Sequence, residues 1–135
     1  TVRDLRNLLI DAIPGFEFPR KNLLDYTIVE ADNALEEESS FAVDLDSEEI
    51  NILAILMMIG WTQRQVTSIE NTRMKYSGAD FKMTSQANHL SKLMALLEES
   101  RRDSFHMQRL YKRRKLADGG YKSNWSSLME TSAID

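Results

Sequence analysis

The chain holds only two histidines, His89 and His106, 17 positions apart. On a helix turning 100° per residue, that spacing is a rotation of about 260°, so the two rings face different directions. No Asp or Glu stands within four residues of His89, so no carboxylate orients it as a base or joins it as a metal ligand. The plainer reading is a helix-start residue hydrogen-bonded to backbone or to a neighbour. Glu36, Glu37 and Glu38 are consecutive and cannot converge on one site from a helix; they read as a solvated charge run. Gly119-Gly120 lacks the Lys-Ser/Thr that a phosphate loop needs. Met57, Met58 and Met74 sit at helical spacing and read as core. These residue types and spacings form no catalytic constellation, so the expectation is a non-enzyme with no cofactor and no metal.

One stretch does carry concentrated chemistry. Arg109, Lys112, Arg113, Arg114 and Lys115 surround Leu110 and Tyr111. Three readings stand side by side. The cations can neutralise phosphates with Tyr111 available to stack on a base. They can simply suit the negative end of a helix dipole and solvate a projecting arm. Or they can dock on an acidic protein surface. Charge distribution bears on this choice. Residues 1–100 contain 9 Lys and Arg against 17 Asp and Glu, whereas residues 101–135 contain 8 against 4. An acidic body with a basic C-terminal arm points to a charged partner, or to copies meeting head to tail.

The elements that would position these residues follow from the apolar pattern. At 135 residues, 42% hydrophobic and 28% charged, the chain suits one folded unit. It has no cysteine, which excludes disulfides and thiolate metal sites. The longest apolar run, Ile50 to Trp61, is shorter than the ~20 residues of a bilayer span. Thr1, Arg3 and Asp4 open the sequence without the apolar region of a signal peptide, so no leader is expected.

Val2, Leu5, Leu8, Leu9, Ala12 and Ile13 predict a first helix over residues 1–13, ended by Pro14-Gly15. Phe16 to Pro19 reads as an extended connector. A second helix is expected at about Arg20 to Glu38, with Leu23, Leu24, Ile28, Ala31, Ala34 and Leu35 as its stripe. Phe41 to Asp46 shows weak strand alternation and reads as loop. Asp46 or Ser47 caps a third helix with Glu48 and Glu49 in its first turn, continuing to about Lys75. From Ile50 to Trp61 that helix is apolar nearly all round, which calls for neighbours on every side; four or fewer helices of one small chain barely supply them. The fourth helix is expected from about Ser85 to Ala117, stopped by Asp118-Gly119-Gly120. Its ~50 Å length exceeds a small domain, so one end should project. Tyr121 to Asp135 is Ser-rich, with Trp125, Leu128 and Met129 scattered through it. The expected architecture is therefore all-α: a four-helix bundle-like unit over 1–117 with a long projecting C-terminal helix, and an extended tail over 118–135 that is disordered alone and ordered by a partner.

The order of these features is specific. The helix Ile50-Asn-Ile-Leu-Ala-Ile-Leu-Met-Met-Ile-Gly-Trp61 continues through Ser68-Ile-Glu-Asn-Thr72. An Asp80-Phe-Lys82 loop follows, then Ser85-Gln-Ala-Asn-His-Leu90 opens the leucine-rich helix. This resembles the head–tail connector, or neck adaptor, proteins of tailed bacteriophages over about residues 20–116, most sharply from Asp80 to Leu90. The resemblance implies a virion structural protein made in the host bacterial cytoplasm, forming a ring, typically a dodecamer, beneath the portal. Its partners would be further copies of itself, the portal protein and a downstream neck or tail-completion protein, with packaged DNA passing through without sequence-specific contact. It assigns Ile52, Ile55, Leu56, Ile59 and Trp61 to packing between subunits. It assigns Arg109, Tyr111, Lys112, Arg113, Arg114, Lys115, Tyr121 and Trp125 to docking on the portal or a neighbour. Tyr76, Asp80, Phe81 and Lys82 become a loop contact, against the local alternative that Phe81 staples its own hairpin. An acidic body suits a DNA conduit, because negative walls do not grip phosphates. The competing class is a DNA-binding helical protein such as a small terminase subunit, holding phosphate with Arg109 to Lys115.

Overall fold

A computed structural model describes residues 2–29, 39–75 and 84–113. Its elements run α1 (Val2–Ala12), a 3-10 turn (Ile13–Gly15), β1 (Tyr26–Thr27), β2 (Ser40–Phe41), α2 (Ser47–Lys75) and α3 (Thr84–Arg113). The described chain is mostly helical with one small two-stranded sheet.

α2 and α3 form a long antiparallel hairpin. Val66 near the far end of α2 packs with Leu90 and Leu93 of α3. At mid-length Arg101 Nη2 donates to Gln63 Oε1 at 2.8 Å, and at the open end Tyr111 meets Glu49. Along α3 the inward residues are Leu90, Leu93, Leu97, Ser100, Ser104, Met107 and Tyr111. These steps alternate three and four, the seam of a coiled coil. Midway the seam turns small and polar: Ser100 and Ser104 of α3 and Thr62 of α2 are all buried. Thr62 satisfies its hydroxyl by donating to the Met58 carbonyl at 2.8 Å, and Ser104 Oγ accepts from Gln108 Nε2 at 3.1 Å. Small seam residues let two helices approach closely without leaving a polar atom unpaired.

α1 and the following connector wrap the open end of this hairpin and make the main core. Ile13, Phe16, Leu23, Ile52, Leu53 and Tyr111 are buried together, with Leu9, Tyr26, Phe41, Leu45, Leu56 and Met107 against them. The Pro14-Gly15 turn presses on α2. A Cβ at Gly15 would stand 3.1 Å from a Leu56 methyl, tighter than ordinary contact. Toward the far end of the hairpin Val66, Leu90 and Leu93 cluster with Ile69, so among the described residues the larger apolar cluster is the one at the open end.

The expected second helix is not formed where it is described. Over residues 20–29 the chain is turn and strand, and residues 30–38 lie outside the described part. Of the described members of the expected stripe, Leu23 is buried, whereas Leu24 is 75% exposed and Ile28 is also exposed. Tertiary partners outcompete the helical spacing here. The Arg20 N–H donates to Tyr111 Oη at 3.0 Å. Asn22 Oδ1 takes the Leu24 N–H at 3.1 Å in an Asx turn. Tyr26 and Thr27 pair antiparallel with Phe41 and Ser40. The alternation at Phe41 is thus a short strand, its ring edge-on to Tyr26 with centroids 6.2 Å apart.

Concentrated packing makes an uneven response to truncation. Ile52→Ala, at a fully buried position, should destabilise by ~3 kcal/mol. Met94→Ala, on the exposed side of α3, should stay within ~0.5 kcal/mol. Urea denaturation of both variants measures the difference.

Candidate functional site

The chemically dense region lies where the end of α3 meets the start of α2. Asp46 precedes α2, and Glu49 at its third position turns its side chain back to accept the Asp46 N–H at 2.8 Å. This is the reciprocal half of a capping box, which satisfies a donor that the helix itself leaves open. The same carboxylate accepts from Tyr111 Oη at 2.7 Å and from Lys21 Nζ at 3.0 Å. Glu49 and Tyr111 are each only 1% exposed. Lys21 extends further to Asp46 Oδ1 at 3.2 Å and to the Asp44 carbonyl at 2.7 Å. Arg20 lays its guanidinium 4.1 Å from the centre of the Tyr111 ring and donates to the Tyr111 carbonyl. Phe16 meets the ring edge-on at 5.1 Å.

Electrostatics follow from this geometry. Burial alone would raise the Glu49 pKa, but the Asp46 N–H, Tyr111 and Lys21 outweigh it and hold the carboxyl below its usual range. The Tyr111 hydroxyl is pushed up to about 12, by burial first and then by its bond to Glu49. The Lys21 ammonium is raised chiefly by its hydrogen bond to Glu49. The Glu49 and Tyr111 side-chain oxygens are engaged in hydrogen bonds that hold the start of α2, the end of α3 and the connector together.

Tyr111 therefore is not an outward docking residue: it is the most deeply buried aromatic ring of the core. The remaining described members of the basic arm do face outward. Arg109 lies over Phe105 at 5.6 Å and Lys112 over Phe18 at 4.0 Å, with Arg109, Lys112 and Arg113 exposed. Gln108 braces the arm by donating to the Gly15 carbonyl at 3.1 Å and accepting from the Glu17 N–H at 2.9 Å. Arg114, Lys115, Tyr121 and Trp125, and the loop residues Tyr76, Asp80, Phe81 and Lys82, lie outside the described residues.

The residues expected to pack between subunits divide. Ile52 is fully buried in the chain's own core and Leu56 packs against it; the Pro14-Gly15 turn and α1 supply a covering that the expectation assigned to another subunit. Ile55 and Ile59 are half-buried. Trp61 remains 47% exposed, with Ile50 at 53% and Met58 at 39%. These three, with exposed Ala54 and half-buried Met57, form the free apolar face of α2. The sequence signal for that face was the all-round apolar character itself, but only packing separates its inner residues from its outer ones.

His89 and His106 are exposed on α3. Among the described residues no group of three His, Cys, Asp or Glu is placed to hold a metal, and no helix is long and apolar enough to cross a membrane. Compared with known protein families, with curated proteins and with solved structures, the chain has no match.

Two measurements test the buried pair. Tyr111→Phe removes a hydrogen bond to a charged acceptor and should lower stability by ~2 kcal/mol, while Arg109→Ala at the exposed arm should change it little; chemical denaturation separates the two. The second is pH. Because the folded Glu49 carboxyl is depressed, its stabilisation is complete above the unfolded carboxylate range and is lost as pH falls through the lower folded value. Tyr111 has the opposite sign: stability falls as pH rises from the ordinary tyrosine range towards about 12. Glu49→Gln should flatten the acid limb of a stability–pH curve, and Tyr111→Phe the alkaline limb.

Proposed function

We propose that this chain is a virion structural protein, a head–tail connector adaptor of a tailed bacteriophage, without catalytic activity. In this reading, copies assemble as a ring under the portal, extend the DNA channel toward the tail and present a platform to the next neck component. The C-terminal arm engages the portal or a neighbouring copy.

The observation that carries this reading is the outer face of α2. Ile50, Met58 and Trp61 are large, apolar and exposed on one side of the helix that the other side commits to the core. A contiguous apolar face on a small chain marks a contact with another polypeptide. The resemblance centred on Asp80 to Leu90 supports a connector ring as the assembly that supplies it. The braced arm, with Arg109, Lys112 and Arg113 outward, adds a cationic end to an otherwise acidic chain, a polarity that suits ordered docking of unlike surfaces.

The alternative, a DNA-binding helical protein, uses the same cations on phosphate. The readings diverge in solution. The connector reading expects a free chain of monomer mass, present in purified particles at a ring-like copy number, with negligible affinity for duplex DNA. Mass measurement of free protein and of particles, with DNA titrations at two salt concentrations, checks this. Tight duplex binding that weakens steeply with salt and is lost on Arg113→Ala, Arg114→Ala and Lys115→Ala would favour the DNA-binding reading.

A further inference from the structure

The hairpin carries two unlike exposed strips on opposite sides. On α2, with Ile50 at 0° and 100° per residue, Met57, Trp61, Ala54 and Met58 fall at about 340°, 20°, 40° and 80°. The buried Thr62, Val66 and Ile52 centre on about 160°, and Gln63 stands at about 220°. The outer face and Gln63 therefore flank the seam on opposite sides. On α3, with Leu97 at 0°, the buried residues from Leu90 to Tyr111 centre near 330°. Arg101, Lys112, Phe105 and Arg109 follow at about 40°, 60°, 80° and 120°, with the Phe105 ring exposed. Arg101 is bonded to Gln63. The α3 strip thus shares the Gln63 side of the hairpin and points away from the outer face of α2.

The two strips are also level. Tyr111 bonds Glu49 at one end, and Val66 packs against Leu90 and Leu93 toward the other. Between those marks, at 1.5 Å per residue, Ala54 lies level with about position 105 of α3. A copy turned about an axis parallel to the hairpin keeps its helices at the same levels. It also presents α3 antiparallel to α2, as the chain itself does. Phe105 of that copy then faces Ala54, the small residue of the outer face, between Ile50 and Met57. A large ring entering over a small residue is the fit that interdigitating helices need. Lys112 and Arg113 of the same copy come level with Asp46, whose carboxylate is 61% exposed beside Lys21, so unlike charges meet at that end.

We infer that the outer face of α2 receives a second copy of this chain, Phe105 of the incoming α3 seated on Ala54 and its cationic end beside Asp46. Because strip and seat lie on opposite sides, each copy docks on one neighbour and receives another. That head-to-tail arrangement can close into a ring, whereas a two-fold pair needs one face to meet itself. Three turns of helix on helix bury less than the ~1,200 Å² of a stable complex. A single contact therefore leaves the free chain monomeric and gains strength where copies are held side by side. The contact rests on the ring reading; particle copy number tests the ring, and cross-linking tests the contact.

Because the chain has no cysteine, introduced ones report proximity cleanly. Ile50 and Arg109 come level within about one residue and leave Phe105 and Ala54 in place. In concentrated solution under mild oxidant, Ile50→Cys chains should link to Arg109→Cys chains ~10-fold faster than to Glu99→Cys chains, altered on the other flank of α3. Equal rates would overturn the contact. So would faster linkage of Ile50→Cys to itself, the mark of a two-fold pair. Ala54→Trp, added to the Ile50→Cys chain, fills the seat and should bring the rate down to that of the Glu99→Cys pair. Ala95→Trp, outside the strip on α3 of the Arg109→Cys chain, should leave it unchanged. All five altered positions are exposed, so the fold is retained. An undiminished rate with Ala54→Trp would also overturn the proposal.

Discussion

A single carboxylate organises the well-packed end of this molecule. Glu49 is buried with its charge intact because three donors reach it from three parts of the chain: the Asp46 N–H, the Tyr111 hydroxyl and the Lys21 ammonium. A buried carboxylate without partners would cost several kcal/mol or take up a proton. With them, it starts α2, terminates the free travel of α3 and fixes the connector between α1 and β1. The surrounding apolar core, from Ile13 and Phe16 to Ile52 and Leu53, closes over bonds that would otherwise be open to water.

This anchoring gives the hairpin two unlike ends. At the anchored end, α1, the Pro14-Gly15 turn and the small sheet add layers to the helix pair. Toward the other end the seam thins through Thr62, Ser100 and Ser104 to the Val66, Leu90 and Leu93 cluster. The anchored half sets the direction in which the basic arm leaves, because Tyr111, Gln108 and Arg20 hold the last turns of α3 against the connector.

In the proposed connector, that division assigns roles by physical means. A rigid junction aims the cationic arm at an acidic surface. The apolar outer face of α2 provides non-directional adhesion. Charge gives orientation and order to such a contact, while apolar area gives it most of its strength.

Much of this was legible in the residues themselves. Capping at Asp46, with Glu48 and Glu49 following, and the helix-ending Pro14-Gly15 are local signals, so α1, α2 and the start of α3 stand within a residue or two of where spacing places them. The absence of cysteine and the unequal charge of the two ends are properties of composition alone. Three features were decided only by tertiary structure. Residues 20–29 have helical spacing, yet hydrogen bonds to Tyr111 and pairing with Ser40 and Phe41 are available only once the chain is folded. Tyr111 sits in a cationic run that reads as surface, and its burial depends on Glu49, 62 positions away. The run Ile50 to Trp61 is apolar on every side, and a periodic pattern cannot say which side faces inward. That choice was made by where Leu56 meets Gly15 and where Ile52 meets Phe16 and Leu23, contacts between segments that sequence distance keeps apart.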